Sequence, residues 1–414
     1  MVIVGAAMMA SCSNEEPEKK VSPDEMKEWL EPTTGDVVKY SPITLSDNDK
    51  RVRDAHNDFA FRFFTEAENA GMLTENPCLS PFSIYEVLSL AANGDNGETR
   101  DELLRIMSGN GAVSIDDLNE YNHKLTVGLP STEEKVTFTS ANSVWVDSYY
   151  TLKDSFAEKM NDVYHARVTS LPLATQGAID LINQWCSQKT NGLINKLFES
   201  PLDVSMVLIN ATYFKGQWSL PFDDNLTYNA EFTNADGSKS MVNMMVCDHW
   251  GNYYSGDGMQ AIYKSFGENN FEMVFMLPDA GADLNTFAAN LKTHLDKADG
   301  NSEYCNITLK APRFKVSFGS TLNKILNAMG INKMFDNGFN DMTVGHTPRA
   351  SMVIQKTAFE IDEYGAQAAA VSAITMDGNV GKNPESMTID RPFFYVLRER
   401  NCGTVLFIGR VDSL

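Results

Sequence analysis

Residues 363–376 read Glu363-Tyr-Gly-Ala-Gln-Ala-Ala-Ala-Val-Ser-Ala-Ile-Thr-Met376, a run with no proline and, after Glu363, no charge. At the two-residue period of an extended chain, Ala366, Ala368, Ala370, Ser372, Ile374 and Met376 share one face, and Gln367, Ala369, Val371, Ala373 and Thr375 the other. The first face is small or apolar throughout. Alanine favours helices, so composition alone predicts a helix. Gly365 before the run and Asp377-Gly-Asn-Val-Gly381 after it predict instead an exposed loop. The upstream chain reads as the body that receives this segment.

Working outward, Pro392-Phe-Phe-Tyr-Val-Leu397 and Thr404-Val-Leu-Phe-Ile-Gly409 carry strand patterns, as do Thr137–Val146, Glu272–Leu277, Asn306–Leu309 and Ala311–Val316. Ser205-Met-Val-Leu-Ile-Asn-Ala-Thr-Tyr-Phe214 is almost continuously apolar, the pattern of a strand buried on both faces, and Lys215-Gly-Gln-Trp218 reads as the turn that ends it. Helical patterns cover Asn57–Phe64, Lys153–His165, and Ile179–Leu197 with a break at Asn191-Gly192. Another runs from Ser320 to Met329, ending at Gly330. Ser80 and Pro81 are the cap and first-turn signals of a helix whose buried stripe is Ile84, Val87 and Leu88. Thr99 with Glu102 has capping-box spacing for the next one. Helices and strands are intermixed, with no repeat and no second domain in the body.

With 414 residues and 43% hydrophobic content the chain can bury a large core. Its 34 basic and 55 acidic residues give a net charge of −21, which disfavours nucleic acid, heparin-like polymers and anionic membrane surfaces as partners. The six cysteines, Cys12, Cys78, Cys186, Cys247, Cys305 and Cys402, lie at no metal-ligand or redox spacing, and no disulfide framework is implied. No His-Glu-x-x-His, Gly-x-Ser-x-Gly or phosphate-cradling loop occurs, so neither an enzyme nor a cofactor is nominated.

At the N-terminus, the apolar run Val2–Ala10 is too short to span a bilayer and leads into Ser11-Cys12, then Ser13-Asn14-Glu15-Glu16. Residues 1–12 resemble a bacterial lipoprotein signal, in which Cys12 would carry the lipid, although no Lys or Arg precedes the apolar run. The acidic residues behind Cys12 resemble the surface-export signal of Bacteroidetes lipoproteins. Residues 13–45 are acidic and proline-bearing and read as a flexible tether, leaving 46–414 as one folded domain held off the outside of the cell.

Four segments in one order carry a resemblance to the serpins over nearly all of residues 50–414. They are Ser80-Pro-Phe-Ser-Ile84, Asn210-Ala-Thr-Tyr-Phe-Lys-Gly-Gln-Trp218, Glu363-Tyr-Gly365 with its alanine run, and Asp390-Arg-Pro-Phe-Phe394 with Val405-Leu-Phe-Ile-Gly-Arg410. The resemblance implies an α+β fold with a large central sheet, two further sheets, surrounding helices and an exposed reactive loop at about 363–389. It also implies a monomeric suicide inhibitor. A target protease cleaves the loop, the loop inserts into the central sheet, and the protease is trapped as an acyl-enzyme. Glu363 would be the hinge, and Gly365, Ala366, Ala368, Ala370 and Ser372 the entering residues. Small uncharged side chains suit a tight slot, and a charge there would be desolvated. The family usually has threonine at Ala366 and glutamate at Gln367, and a non-inhibitory surface-binding lipoprotein on the same fold is the alternative.

Ser80, Ser83 and Asn210 match the family's polar cluster beneath the sheet's opening point, and Trp218 the aromatic residue at its upper end. The family's usual histidine in that cluster falls on Gln355, which removes its pH sensitivity. Counting from the hinge nominates the Asn379–Val380 bond for cleavage; counting back from Pro392 nominates Gly381 or Lys382. Lys382 suits a trypsin-like target, while Met376 or Val380 suits an elastase- or chymotrypsin-like one. Asn379 leaves a cysteine protease open beside the extracellular serine proteases.

Overall fold

The first long helix, Asp47–Asn69, starts well before the stretch Asn57–Phe64 whose pattern announces it. The Ser46 side chain accepts from Asp49 N, and the Asp49 carboxylate accepts from Ser46 N at 2.7 Å, a complete capping box. Its Phe59, Ala60, Phe63 and Phe64 are buried. The computed structural model describes residues 43–414, apart from 74–75, 110–111, 131–134, 191, 193–194, 337 and 367–384. All of these fall in the unit Val37–Leu414.

The central sheet has six strands among the described residues: β1 (Val136–Asp147), β2 (Arg167–Leu171), β3 (Met206–Gln217), β4 (Phe314–Thr321), β5 (Met352–Ile361) and β6 (Gly365–Ala366). Their order is β4-β5-β6-β3-β1-β2. Only the two residues of β6 separate β5 from β3. Below them β5 and β3 pair directly and in parallel, from Met352 opposite Val207 to Ala358 opposite Tyr213.

Among the described residues, a second sheet of nine strands includes Phe393–Glu399, Val405–Val411 and Glu385–Thr388, and a third has two strands, Thr151–Leu152 and Thr343–Val344. The helix Pro81–Asn93 is buried along its whole length and packs on β3, β1 and Val405–Val411, between the two large sheets. Ser80 caps it, accepting from Ser83 N, with Pro81 in the first turn. β3 is buried at each of its first nine residues, as an apolar run with no alternation requires.

Three local expectations are corrected. Lys215-Gly-Gln217 is not a turn: β3 continues through Gln217, because Gly216 and Gln217 find ladder partners in Ala366 and Gly365. Thr99 lies inside its helix, which starts at Glu98; the Asp95 carboxylate accepts from the Gly97 and Thr99 N–H groups, while Glu102 accepts from Asn332 N and Lys333 N. Ser320 and Thr321 belong to β4, paired with Gln355 and Ile354, and the helix there spans only Asn323–Ala328.

Candidate functional site

The hinge is built from a tight turn at the top of the sheet. Asp362 Oδ1 accepts from Tyr364 N at 2.8 Å and Gly365 N at 3.0 Å, which turns the chain out of β5 and back alongside it. Gly365 has φ +136, and a Cβ on it would lie 2.1 Å from Gly216 O. Only glycine fits. Ala366, fully buried, then sits opposite Ile361 on one side and Gly216 on the other. The first residue expected to enter the sheet is already in it.

Glu363 is held by both its backbone and its side chain. Its carbonyl accepts from Phe222 N at 2.9 Å and the Tyr364 carbonyl from Trp218 N at 2.8 Å. Its carboxylate, 1% exposed as a residue, accepts from Arg313 Nε (2.7 Å) and Nη2 (2.6 Å) and from Thr227 Oγ1 (2.6 Å). Burial pushes the Glu363 carboxyl up, but the Arg313 and Thr227 hydrogen bonds outweigh it and leave the group below the usual carboxylate range. The expected Trp218 closes this end: its Nε1 donates to Asp362 O at 3.0 Å and its ring stacks on Phe266 at 4.0 Å. Buried Lys264 places its ammonium 5.2 Å from the Trp218 ring and 4.4 Å from that of Phe222, and donates to Leu220 O.

Farther down, Gln355 occupies the middle of the sheet. Its Nε2 donates to Ser80 O (2.6 Å) and Ser83 Oγ (2.7 Å), while its Oε1 accepts from Ser80 N (3.1 Å). The glutamine thus uses both donor and acceptor to tie β5 to the helix beneath. Ser80 Oγ donates onward to Leu406 O at 2.9 Å. Asn210, expected in the same cluster, anchors a neighbouring one. Its Nδ2 donates to Ser140 Oγ and Asn142 Oδ1, and its Oδ1 accepts from Thr212 Oγ1.

That second network centres on Glu86, a carboxylate the sequence reading missed. Buried in the helix Pro81–Asn93, it accepts from Ser140, Asn142 and Thr126. Burial pushes its carboxyl up to about 7 against those three hydrogen bonds. A lone charge inside Ile84-Tyr-Glu-Val-Leu88 was the available signal. Arg313 and Thr227 were missed as well, since nothing local couples them to residue 363.

Ala368, Ala370, Ser372, Met376, Asn379, Val380, Gly381 and Lys382, like Cys12, lie outside the described residues. The chain picks up again at Glu385, whose strand Glu385–Thr388 runs parallel to Glu303–Pro312. The arrangement is a closed sheet with a two-residue wedge at its top, and the next described residue after Ala366, Glu385, belongs to a different sheet. Comparison with known proteins says what this is: the family model for serpin (serine protease inhibitor) matches residues 54–414. The chain belongs to the serpin family. Serpin-Z10 of Arabidopsis thaliana is 30% identical over 376 residues, covering 86% of this chain and 96% of that relative. Iripin-1 of Ixodes ricinus is 28% identical over 370 residues, 87% and 94% of the two chains. Among solved structures, the native state of the thermophilic serpin Tengpin superposes with a TM-score of 0.81 at 25% identity, over 91% of this chain and 98% of that one. Serpins are generally protease inhibitors acting as suicide substrates on serine proteases, rather than catalysts.

Proposed function

We propose that this serpin is an inhibitory member, a suicide substrate for extracellular proteases. It would be lipid-anchored through Cys12 on the outside of a bacterial cell and guard that surface as a monomer without a cofactor. The observation that carries the reading is β6: two residues of the loop's root are paired on both edges between β5 and β3, and the slot below is closed by direct β5–β3 pairs. Insertion of the loop then means continuing a strand already nucleated. Each further residue exchanges β5–β3 ladder bonds for bonds to a new strand with two paired edges, a net gain of about 1 kcal/mol per added hydrogen bond.

The register measures the slot. Continuing the Gly365–Gln217 and Ala366–Gly216 pairs down β3 would set Met376 opposite Met206, the first residue of that strand, and continuing Ile361–Ala366 down β5 would set Thr375 opposite Met352. A strand from Ala366 to Met376 would span roughly 35 Å at about 3.3 Å per residue. A protease acylated at Met376 would be level with the sheet's foot, whereas one acylated at Asn379 would be carried past it. The register therefore favours Asn379–Val380 or a later bond, at Gly381 or Lys382.

The test is to incubate the folded domain with a panel of serine and cysteine proteases, look for complexes that survive boiling in detergent, and sequence the released C-terminal peptide. A covalent complex and a peptide beginning at Val380 are expected. Cleavage of the loop without a complex for any protease of the panel would overturn the inhibitory reading.

A further inference from the structure

At the foot of the central sheet lies a cavity of about 660 Å³ that the hinge chemistry leaves unexplained. It straddles the seam between two strands: Asp203 and Ser205 lie in the chain that leads into β3, Arg349 and Ser351 in the chain that leads into β5. Two bonds join those chains there. Ser351 N donates to Met206 O at 2.9 Å and Ser205 N to Ser351 Oγ at 3.1 Å. Asp147, also in the wall, accepts from Tyr149 N at 2.9 Å and Leu173 N at 3.1 Å, so its carboxylate is committed to backbone. Arg349 and Asp203 are exposed, and neither side chain has an ion pair or hydrogen bond among the described residues.

The apolar part of the wall is aromatic, from Tyr149, Tyr150 and Phe335. The Tyr149 ring lies edge-on to Tyr150 at 5.1 Å and is stacked on His346 at 5.5 Å, yet the residue is 67% exposed. Its neighbours hold the ring in place without covering it. An open ring beside one unpaired guanidinium and one unpaired carboxylate is complementary to a small molecule carrying a ring, a carboxylate and an ammonium. Arginine takes a carboxylate with two parallel bonds, aspartate takes an ammonium, and ring against ring covers apolar surface that both would otherwise expose. The volume is within the range of about 300–1,000 Å³ usual for small-molecule sites. Such a molecule is neutral overall, so the chain's net charge of −21 does not repel it.

We propose that this cavity is a binding site for a free aromatic amino acid, with Arg349 receiving its carboxylate, Asp203 its ammonium, and Tyr149, Tyr150 and Phe335 its ring. A ligand with a single charge would leave one of the two wall charges without a partner. Because Arg349 and Asp203 belong to the chains leading into β5 and β3, the ligand bridges the seam and adds a third tie to the two hydrogen bonds already there. The binding stands apart from the inhibitory reading, and only its consequence rests on that reading: a seam that must part for the loop to enter is held shut while the site is filled.

The experiment is a calorimetric titration of the full chain with L-phenylalanine and with its two half-ligands, phenylpropionate and phenethylamine, repeated on Arg349→Gln and Asp203→Asn. Both side chains are exposed, so the substitutions leave the fold in place, which the melting temperature of each variant checks. Phenylalanine binds saturably and more tightly than either half-ligand, and each variant weakens it by roughly tenfold or more. Amide hydrogen exchange at Ser205 and Ser351 slows when phenylalanine is added to wild type. No saturable binding of phenylalanine, or binding that both variants keep, overturns the site whatever the protease panel shows. A half-ligand that binds as tightly as phenylalanine strikes out the contact it lacks. Binding with unchanged exchange at Ser205 and Ser351 overturns the bridge across the seam. Failure of the protease panel overturns the inhibitory reading and leaves the binding site standing.

Discussion

Arg313 and Glu363 meet as a fork, Nε to Oε2 at 2.7 Å and Nη2 to Oε1 at 2.6 Å, at the top of the sheet beside the wedge of β6. The pair joins the exit of β5 to the chain entering β4. It holds the hinge in its wedged position without occupying the slot.

Removing one partner strands the other. Arg313→Ala leaves a carboxylate whose side chain is 2% exposed with Thr227 alone. A buried broken pair costs about 3–5 kcal/mol, but this arginine is nearly half exposed, so about 1–2 kcal/mol of destabilisation in urea unfolding at neutral pH is expected. Arg313→Lys should recover only part, since one ammonium cannot reproduce a two-bond fork. The folded Glu363 carboxyl lies below its ordinary value of 4.5, so its contribution is present above that pH and is lost as pH falls through the folded value. Wild type and Arg313→Ala should accordingly converge in stability in strong acid.

Gly365→Ala tests the wedge itself. The methyl group would collide with the Gly216 carbonyl and with backbone of Gln217 and Trp218, none of which can yield while β3 stays paired. The strained position should cost about 1–3 kcal/mol, and the cheapest relief is expulsion of β6. Amide hydrogen exchange at Ala366 and at Gln217 should rise to that of an unpaired edge, while exchange along the lower part of β5 and β3 is unchanged.

How much of this was legible depends on whether the determinant was local. Ser80-Pro81 announced its helix and Ser205–Phe214 its buried strand, because a cap and an apolar run act within a few residues. Glu363, Gly365 and Ala366 were placed in order by resemblance, and the structure gives each a physical reason for its residue type. The turn expected at Lys215–Gln217 failed for the opposite reason: a glycine beside a lysine reads as a breaker until a strand from 150 residues downstream supplies its ladder partners. Arg313 and Thr227 lie far from Glu363 in sequence and close in space, so no pattern in the chain could pair them. Asn210 lies opposite Gln355 in the sheet, but its side chain bonds instead to Asn142, opposite it on β1, and to Ser140 two residues away, which looked like ordinary strand residues.

Glu86 gives the middle of the sheet a pH dependence that Gln355 cannot. Its carboxyl is held at about 7 by burial, above the ordinary 4.5, so its stabilising contribution is fully present below pH 4.5 and is lost as pH rises through 7. The span is on the order of 3 kcal/mol. The groups facing it are Ser140 and Asn142 on β1, Thr126, and Tyr164, which feels its charge. Buried His56 and His249 act with the opposite sign: burial depresses both to about 3, so their contribution is present above pH 6.5 and lost in acid. Glu86→Gln should therefore be more stable than wild type at pH 8, equal to it near pH 4, and retain only the histidine-driven decline in acid. Unfolding free energies of the two proteins across pH 4–9 decide it, and parallel curves would remove Glu86 from the account.

Ala366→Arg tests the proposed insertion at its first residue. Ala366 is fully buried and paired on both edges, with Ile361 and with Gly216. A guanidinium at that point must either be desolvated without a partner or pull β6 out of the sheet, and the second is far cheaper. The Arg313 fork and the Asp362 turn lie on the other side of Gly365 and remain intact, so the body should keep its fold. What is lost is the nucleus: every later residue would have to enter a slot whose first position is blocked by a charge. Cleavage at the wild-type rate, with the covalent complex replaced by released, active protease, is the expected outcome in a stoichiometry titration. Trapping at undiminished stoichiometry would mean that strand growth does not start from Ala366, and with it the register that sets Met376 at the foot of β3 would fall.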